Sequence, residues 1–433
     1  MFNEIIPGVF DSGSYNALSE YLIAAFNFLQ ANTVLYVLLT LTLVFGSINW
    51  VIWFVRRTRS INYIPIKGSY EASTSVVIPV YNETYEVLKD TVDSVLKNRP
   101  DEVILILDHT EAEIMKSIKA EYKDKVKCHF IIEPGKRPAL AKGINLSKGD
   151  IVVLVDSDTR WVGENFLKNL IVPFKDPKVG GVGTRQKVKE RSSWGQRIID
   201  WVLDLKYSDY IKSDSLSGSV LCLSGRTAAY RREILLPELD KLTEERFLWH
   251  KCQGGDDARL TTLVLMQGYN TVYQDTSLAK TSFDRRFIVY LRQKIRWSRN
   301  SFRTYLKSIF SAWPWKQKRF YYLMSAYHTL VPGLLFLLSM AFVIYSVYLQ
   351  LYILAYIWII WAFLSRIIKG FSHLRKEPSA ITLLPIIVFF YFFLSFIKLY
   401  AFLTMTRERW SGSRKNYRIK NGIRIGGENE QLY

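Results

Sequence analysis

The chain has 433 residues, of which 49% are hydrophobic and 15% aromatic, and its formal net charge is +19. That apolar and aromatic share exceeds the average for a soluble enzyme and points to membrane insertion around one sizeable soluble domain. The excess of Lys and Arg would fit nucleic acid, but no nucleic-acid motif occurs and the charge clusters beside apolar runs, from Arg285 to Lys307 and from Arg407 to Lys420, where anionic headgroups or a diphosphate are the better partners.

Residues 1–32 contain neither Lys nor Arg, and from Thr33 to Val55 no charged residue occurs. As a helix that run reaches about 34 Å, enough to span a bilayer. Arg56, Arg57 and Arg59 follow directly, so the positive-inside rule places residues 1–32 outside, and a 56–72 linker and the large middle region, 73–282, on the cytosolic face. A cleaved signal peptide is not expected, because no basic segment precedes the run and the run is too long.

Between residues 73 and 282 short apolar runs alternate with amphipathic segments, the pattern of an α/β domain with a largely parallel, two-sided buried sheet. Strands are expected at 75–80, 102–107, 127–132 and 151–155, and helices near 86–97, 112–122 and 139–146. Open α/β sheets bind ligands at the carboxyl ends of their strands. Polar residues stand there: Asn82 and Glu83, Asp108, the segment from Glu133 to Arg137, and the segment from Asp156 to Asp158. Cys128, Cys222 and Cys252 have no metal-type spacing, and in a cytosolic domain structural disulfides are not expected.

Asp156 and Asp158 flank Ser157 behind the apolar run IVVLV. Two carboxylates so placed can share a Mg²⁺ or Mn²⁺ ion whose remaining ligands are the phosphates of a nucleotide-activated substrate. Alone, such a DxD is more often a turn or cap; its place behind a buried strand raises it. Asp256 and Asp257 form a second pair, which is either a helix N-cap or the source of a base that takes the proton of an attacking hydroxyl. Asp257 is the expected base, with Asp256 the alternative. Lys136 and Arg137 can contact a diphosphate or form a solvated turn, and Asp108 can hydrogen-bond a nucleoside or cap a turn.

The stretch 283–319 reads as amphipathic helix at the membrane surface, with snorkelling cations and an aromatic anchor. Within it, Gln293, Arg296 and Trp297 can instead join a pyrophosphate-binding cation to a ring that packs on sugar faces. The charge-free run from Phe320 to Ser365 is twice one crossing and predicts a hairpin over 320–369. Residues 380–404 are apolar but contain Pro385 and Lys398. If they crossed, the basic tail would lie outside, so they are expected to lie along the membrane or re-enter it, giving three spanning helices. Trp410, Arg414 and Lys415, in the 405–433 tail, can close over bound nucleotide as a mobile loop or form a solvated juxtamembrane segment.

In this order, SVVIPVYNE, Asp108, Asp156-Ser157-Asp158, Gly255-Asp256-Asp257 and the QxxRW of Gln293, Arg296 and Trp297 resemble the family-2 membrane polysaccharide synthases, over about residues 75–415. GKRPAL, GDD and WSGSRK are most similar to hyaluronan synthases. VLVDSDTRW, GGVGTRQK, CLSGRTAAYR and YNTVYQDTS are most similar to type 3 capsule synthases of pneumococcal kind. Two departures stand out: WSGSRK replaces the usual WGTR, and GDDA replaces GDDR. The resemblance implies a GT-A fold, Asp156 and Asp158 at a Mg²⁺ or Mn²⁺ ion, and Asp257 as base. Asp108, Lys136, Arg137, Gln293, Arg296, Trp410, Arg414 and Lys415 would then face the UDP-sugar donor, and Trp297, Ser224, Gly225 and Arg226 the acceptor. It further implies a processive, inverting enzyme in a bacterial plasma membrane, partnered by UDP-glucuronic acid with UDP-glucose or UDP-N-acetylglucosamine, the growing polysaccharide and membrane lipids. The competing expectations are a non-processive transferase acting on a lipid-linked acceptor and a non-catalytic transport component, which the intact carboxylate pairs disfavour.

Overall fold

The computed structural model describes residues 32–407 and the two antiparallel strands Tyr417–Lys420 and Ile423–Gly426. Helix α1 (Thr33–Ile61) runs without a break through the basic segment expected to be a linker. The α/β domain follows as strands β1 (Thr74–Val80), β2 (Glu102–Asp108), β3 (Lys127–Ile131), β4 (Ile151–Val155), β5 (Thr159–Trp161), β6 (Val179–Val188), β7 (Thr227–Arg231), the small hairpin β8 (Arg246–Phe247) and β9 (His250–Lys251), and β10 (Asn270–Thr281). Eight of them form one sheet in the order β3-β2-β1-β4-β7-β6-β10-β5.

The sheet is mixed where the sequence predicts a largely parallel one. β7 lies antiparallel between β4 and β6, and β5 is antiparallel to β10. The run TAAYR of β7 has the same short apolar signature as a parallel strand, so periodicity alone does not give its direction. Its reversal matters, because Thr227 pairs with Val155 and the residues just before β7 arrive at the edge where β1, β2 and β4 end.

Helices α2 (Tyr85–Leu96), α3 (Ala112–Tyr122) and α4 (Lys136–Leu146) follow the first three strands. α2 buries Leu88, Val92 and Val95 at helical spacing, and the apolar β-branched run of β4 is wholly buried, as a two-sided sheet requires. α4 lies so close to the sheet that a Cβ on Gly143 would sit 2.2 Å from Val77 Cγ1. α5 (Trp194–Leu205) opens with a capping box of Ser193 and Gln196, and α6 (Asp256–Met266) starts at Gly255, whose φ of +76° needs glycine.

α7 (Phe287–Phe310) is the amphipathic helix. α8 (Phe320–Leu330), α9 (Pro332–Tyr348), α10 (Tyr352–Leu374) and α11 (Leu384–Leu403) are the longer helices that follow it. α1, α10 and the run Pro378–Leu403 are each long and apolar enough to cross a membrane, and so is the α8–α9 pair taken together, bent by 46°. Pro385 does not interrupt α11; it stands in the first turn, where its missing N–H costs nothing.

Both ends of α11 are tied to the α/β domain and the amphipathic helix that follows it. Before it, Glu377 pairs with Arg191 at 2.7 Å and Lys376 with Asp204 at 2.9 Å. After it, Thr404 Oγ1 accepts from Arg299 at 2.8 Å and the Met405 carbonyl from Arg303 at 3.0 Å. Between them Ile387 and Phe390 join the core that holds Trp201, Phe283 and Tyr290. α1 is fastened by Arg56, which donates twice to Asp214 at 2.8 and 2.9 Å, both partners buried.

Candidate active site

The carboxyl ends of β1, β2 and β4 and the start of β7 share one edge of the sheet, and the expected residues converge there. Lys136, Asp156, Gly225, Asp256 and Asp257 line one small enclosed gap, with Leu223 and Tyr230 beneath. Lys136, in the first turn of α4, places its ammonium 2.6 Å from Asp156 and 3.0 Å from Asp256. One cation thus joins both carboxylate pairs. Burial opposes its charge, but Asp156 and Asp256 outweigh burial and hold the ammonium above the usual lysine range. Gly225 gives it room, since a Cβ there would lie 2.8 Å from Lys136 Nζ.

Asp158 is pushed up to about 6, first by burial and then by Asp156, with Glu83 adding to the crowding of negative charge. Such a set of hard oxygen donors fits Mg²⁺ or Mn²⁺, which would relieve that repulsion. Among the described residues no group of three or more His, Cys, Asp or Glu side chains forms a complete cation site, so a bound ion would need ligands from its substrate as well.

Asp256 and Asp257 are the first two residues of α6; the N-cap is Gly255 and no side chain caps the helix, so the pair stands in the first turn and not at the cap. Burial works against charge on each, yet they diverge. Lys136 brings Asp256 below the ordinary carboxylate range despite its burial, whereas burial and then Asp256 raise Asp257. The Asp257 carboxylate also meets the thiol of Cys222, itself raised by burial and then by Asp257, so Cys222 is a neutral hydrogen-bonding neighbour.

Arg226 donates to Gln186 at 2.9 Å and lies 4.6 Å above the Phe283 ring and 6.0 Å from that of Trp297. The CLSGR segment and QxxRW therefore meet. Ser224 and Gly225 sit half-buried beside Arg226. Lys294 lies 5.4 Å from the same Trp297 ring, and Tyr290 packs edge-on to it. On α7, Arg296 is half-buried, and Gln293 Oε1 is buried without a hydrogen-bond partner among the described residues.

Arg137, expected at a diphosphate or in a solvated turn, is buried and donates to Glu245 and the carbonyls of Leu242 and Gly254, so it braces the loop before Asp256. Asp108 stands at the expected edge, where its carboxylate accepts from the backbone and hydroxyl of Thr110. Trp410, Arg414 and Lys415 lie outside the described residues. Sequence reasoning missed Glu245, which gathers Arg137, Arg259 and Lys307, and Gln186; Glu245 belongs to no motif, and Gln186 lies within GGVGTRQK without being singled out there, so only the folded chain brings them to the site.

Comparison with known proteins follows this geometry. Residues 72–300 match the model for glycosyltransferase like family 2. The hyaluronan synthase of Streptococcus pyogenes is 27% identical over 398 residues, 87% of this chain and 91% of the relative. A type 2 glycosyltransferase of Pyricularia oryzae is 27% identical over 380 residues, 81% and 76% of the two chains. An N-acetylglucosaminyltransferase of Mesorhizobium japonicum is 31% identical over 247 residues, 55% and 58%. In fold, the chain is similar to the mannosyltransferase PcManGT from Pyrobaculum calidifontis, solved with GDP-Man and Mn²⁺, at a TM-score of 0.62 and 17% identity, covering 86% of this chain and 98% of that one. The curled mixed sheet is the GT-A-like fold, and the chain belongs to glycosyltransferase family 2.

Proposed function

We propose that this is a processive, inverting membrane glycosyltransferase that joins UDP-sugars, UDP-glucuronic acid with UDP-glucose or UDP-N-acetylglucosamine, into an extracellular or capsular polysaccharide and passes the polymer across the membrane. The observation that carries the reading is a cavity of about 830 Å³ lined by Cys222 and Trp297 at the transfer site and by residues of α1, α9 and α10 beyond it. It gives a growing chain a place to go without leaving the enzyme.

In this reading the acceptor hydroxyl attacks the anomeric carbon of the donor, the bond from that carbon to the diphosphate breaks, and the proton passes to Asp257 while UDP departs. Asp257 suits the role better than Asp256, because Lys136 already engages Asp256. Asp156 and Asp158 would hold a Mg²⁺ or Mn²⁺ ion, which supplies charge neutralisation for the diphosphate. Lys136, Gln293, Arg296 and Asp108 serve the donor, together with Trp410, Arg414 and Lys415 of the tail. Trp297 supports the acceptor sugar, with Ser224, Gly225 and Arg226 beside it. α1, α9 and α10 cross the membrane and α11 lies along its cytosolic surface; the attachments at both ends of α11 support this arrangement.

A second reading, single transfer to a lipid-linked acceptor, draws on Leu335, Phe336, Phe342 and Ile357 in the outer cavity wall. Purified protein incubated with Mn²⁺ or Mg²⁺ and labelled UDP-glucose, UDP-glucuronic acid and UDP-N-acetylglucosamine, singly and in pairs, separates the two. Long polymer from a pair supports processive synthesis. One-sugar products extractable into organic solvent support the second reading, and no transfer with any combination overturns both.

A further inference from the structure

Glu245 stands on the loop that leads into the β8–β9 hairpin, and its carboxylate collects cations from three helices. Arg137 of α4 donates to it at 2.8 Å, Lys307 of α7 at 3.2 Å, and the guanidinium of Arg259 in α6 lies 3.3 Å away. Burial opposes its charge, but Arg137, Arg259 and Lys307 outweigh burial and hold the carboxyl below the usual glutamate range. Glu245, Arg137 and Arg259 are all buried, and only Lys307 reaches the surface.

Each of these cations belongs to an element that carries a residue of the transfer site. Arg137 follows Lys136 at the start of α4. Arg259 shares the opening of α6 with Asp257, and Lys307 lies on the same unbroken helix as Trp297. The loop before the base is drawn into the cluster as well. Arg137 donates to the Gly254 carbonyl at 2.8 Å, and the Cys252 N–H donates to the Glu245 carbonyl at 2.8 Å, so the entrance and exit of the hairpin are tied together. The change from GDDR to GDDA fits the same arrangement, since Arg259, one place later, is taken up by Glu245 and by the Lys241 carbonyl.

We propose that Glu245 is a positioning residue for the base: by gripping α4, α6 and α7 together it fixes where the Asp257 carboxylate stands relative to the Trp297 ring. The inference rests on the reading of Asp257 as base and Trp297 as acceptor support, and it holds for single as for repeated transfer. Glu245 acts through Arg137, Arg259 and Lys307 and takes no part in the reaction itself.

Stability alone is a poor account of such a cluster. A buried ion cluster gains little over an apolar one, because desolvation offsets the attraction; what it yields is a defined geometry. Geometry is what proton removal from an acceptor hydroxyl requires, since a misplacement of about 1 Å costs on the order of 10²-fold in rate.

The test is a double-mutant cycle on the full chain with Mn²⁺ and whichever of UDP-glucose, UDP-glucuronic acid and UDP-N-acetylglucosamine, singly or paired, supports transfer, read as kcat and KM from UDP release. Glu245→Gln keeps the size of the side chain and removes the charge that gathers the cations. In the otherwise unaltered chain it should lower kcat by about tenfold or more with KM for the UDP-sugar unchanged. In the Asp257→Asn background the same substitution should change kcat by less than about twofold, because residues that act as one unit do not add. A loss of equal size in both backgrounds makes Glu245 a structural brace only and overturns the inference; so does an unchanged kcat for Glu245→Gln. Should Glu245→Gln not fold, Lys307→Gln, at the partly exposed rim of the cluster, takes its place in the cycle with the same expected non-additivity and the same overturning results. Full activity of Asp257→Asn by itself sinks the base assignment and this inference with it, whereas additive losses beside an impaired Asp257→Asn sink this inference alone.

Discussion

Asp257 and Asp256 are adjacent in sequence but not in chemistry, because Lys136 reaches only one of them. A base works as its carboxylate, and burial with Asp256 raises the proton affinity of Asp257. Activity should therefore be lost on acidification at a pH above the ordinary carboxylate value of about 4, and a kcat/KM profile measured by UDP release checks this. Asp257→Asn should lower turnover by about 10²- to 10⁴-fold, the usual worth of a general base, with UDP affinity unchanged; full activity would remove Asp257 from the mechanism. Arg137→Met should act differently. It strips a partner from buried Glu245 and leaves the Leu242 and Gly254 carbonyls without their donor, so unfolding free energy should fall by about 3 kcal/mol, read by chemical denaturation. That Asp156, Asp158 and Asp257 stand at one edge of the sheet was legible in the sequence because each follows a strand or opens a helix. The role of Arg137 was not, since a cation beside Lys136 gives no sign of which way it turns.

At the level of elements, the sequence reveals strands better than their directions. β1, β2, β3 and β4 fall within a residue of expectation, yet the antiparallel β7 escapes because direction is set by pairing partners far along the chain. Helix packing is equally hidden until glycine contacts are seen. Gly143 lies on the face of α4 against Val77 and Ile106, so Gly143→Ala should cost about 1–3 kcal/mol through overpacking, measured as a lowered midpoint of unfolding. α11 illustrates the reverse case. Composition makes it look like a span, while Lys398 and the basic tail argue against crossing, and its two ends meet the same domain. A tag fused after residue 433 should accordingly be cleaved by protease only when the cytosolic face is open; cleavage from outside would make α11 a fourth crossing.

For the whole molecule, the carboxylates crowded at Asp158 require a counter-charge when a diphosphate arrives. Chelation with EDTA should abolish sugar transfer, and Mn²⁺ or Mg²⁺ should restore it; transfer that persists after exhaustive chelation would remove the metal from the scheme. Catalytic and membrane parts are also mechanically continuous. Asn300 of α7 packs against Gly254 and Gly255, directly before Asp256 and Asp257, and accepts from Arg303, which also holds the Met405 carbonyl. Thr404 is held from the same helix. A pull on the chain beyond Met405 is therefore transmitted through a single α-helix to the loop that sets Asp257. Met405 and the loop before Asp257 are thus the two ends of one lever, with α7 as its arm.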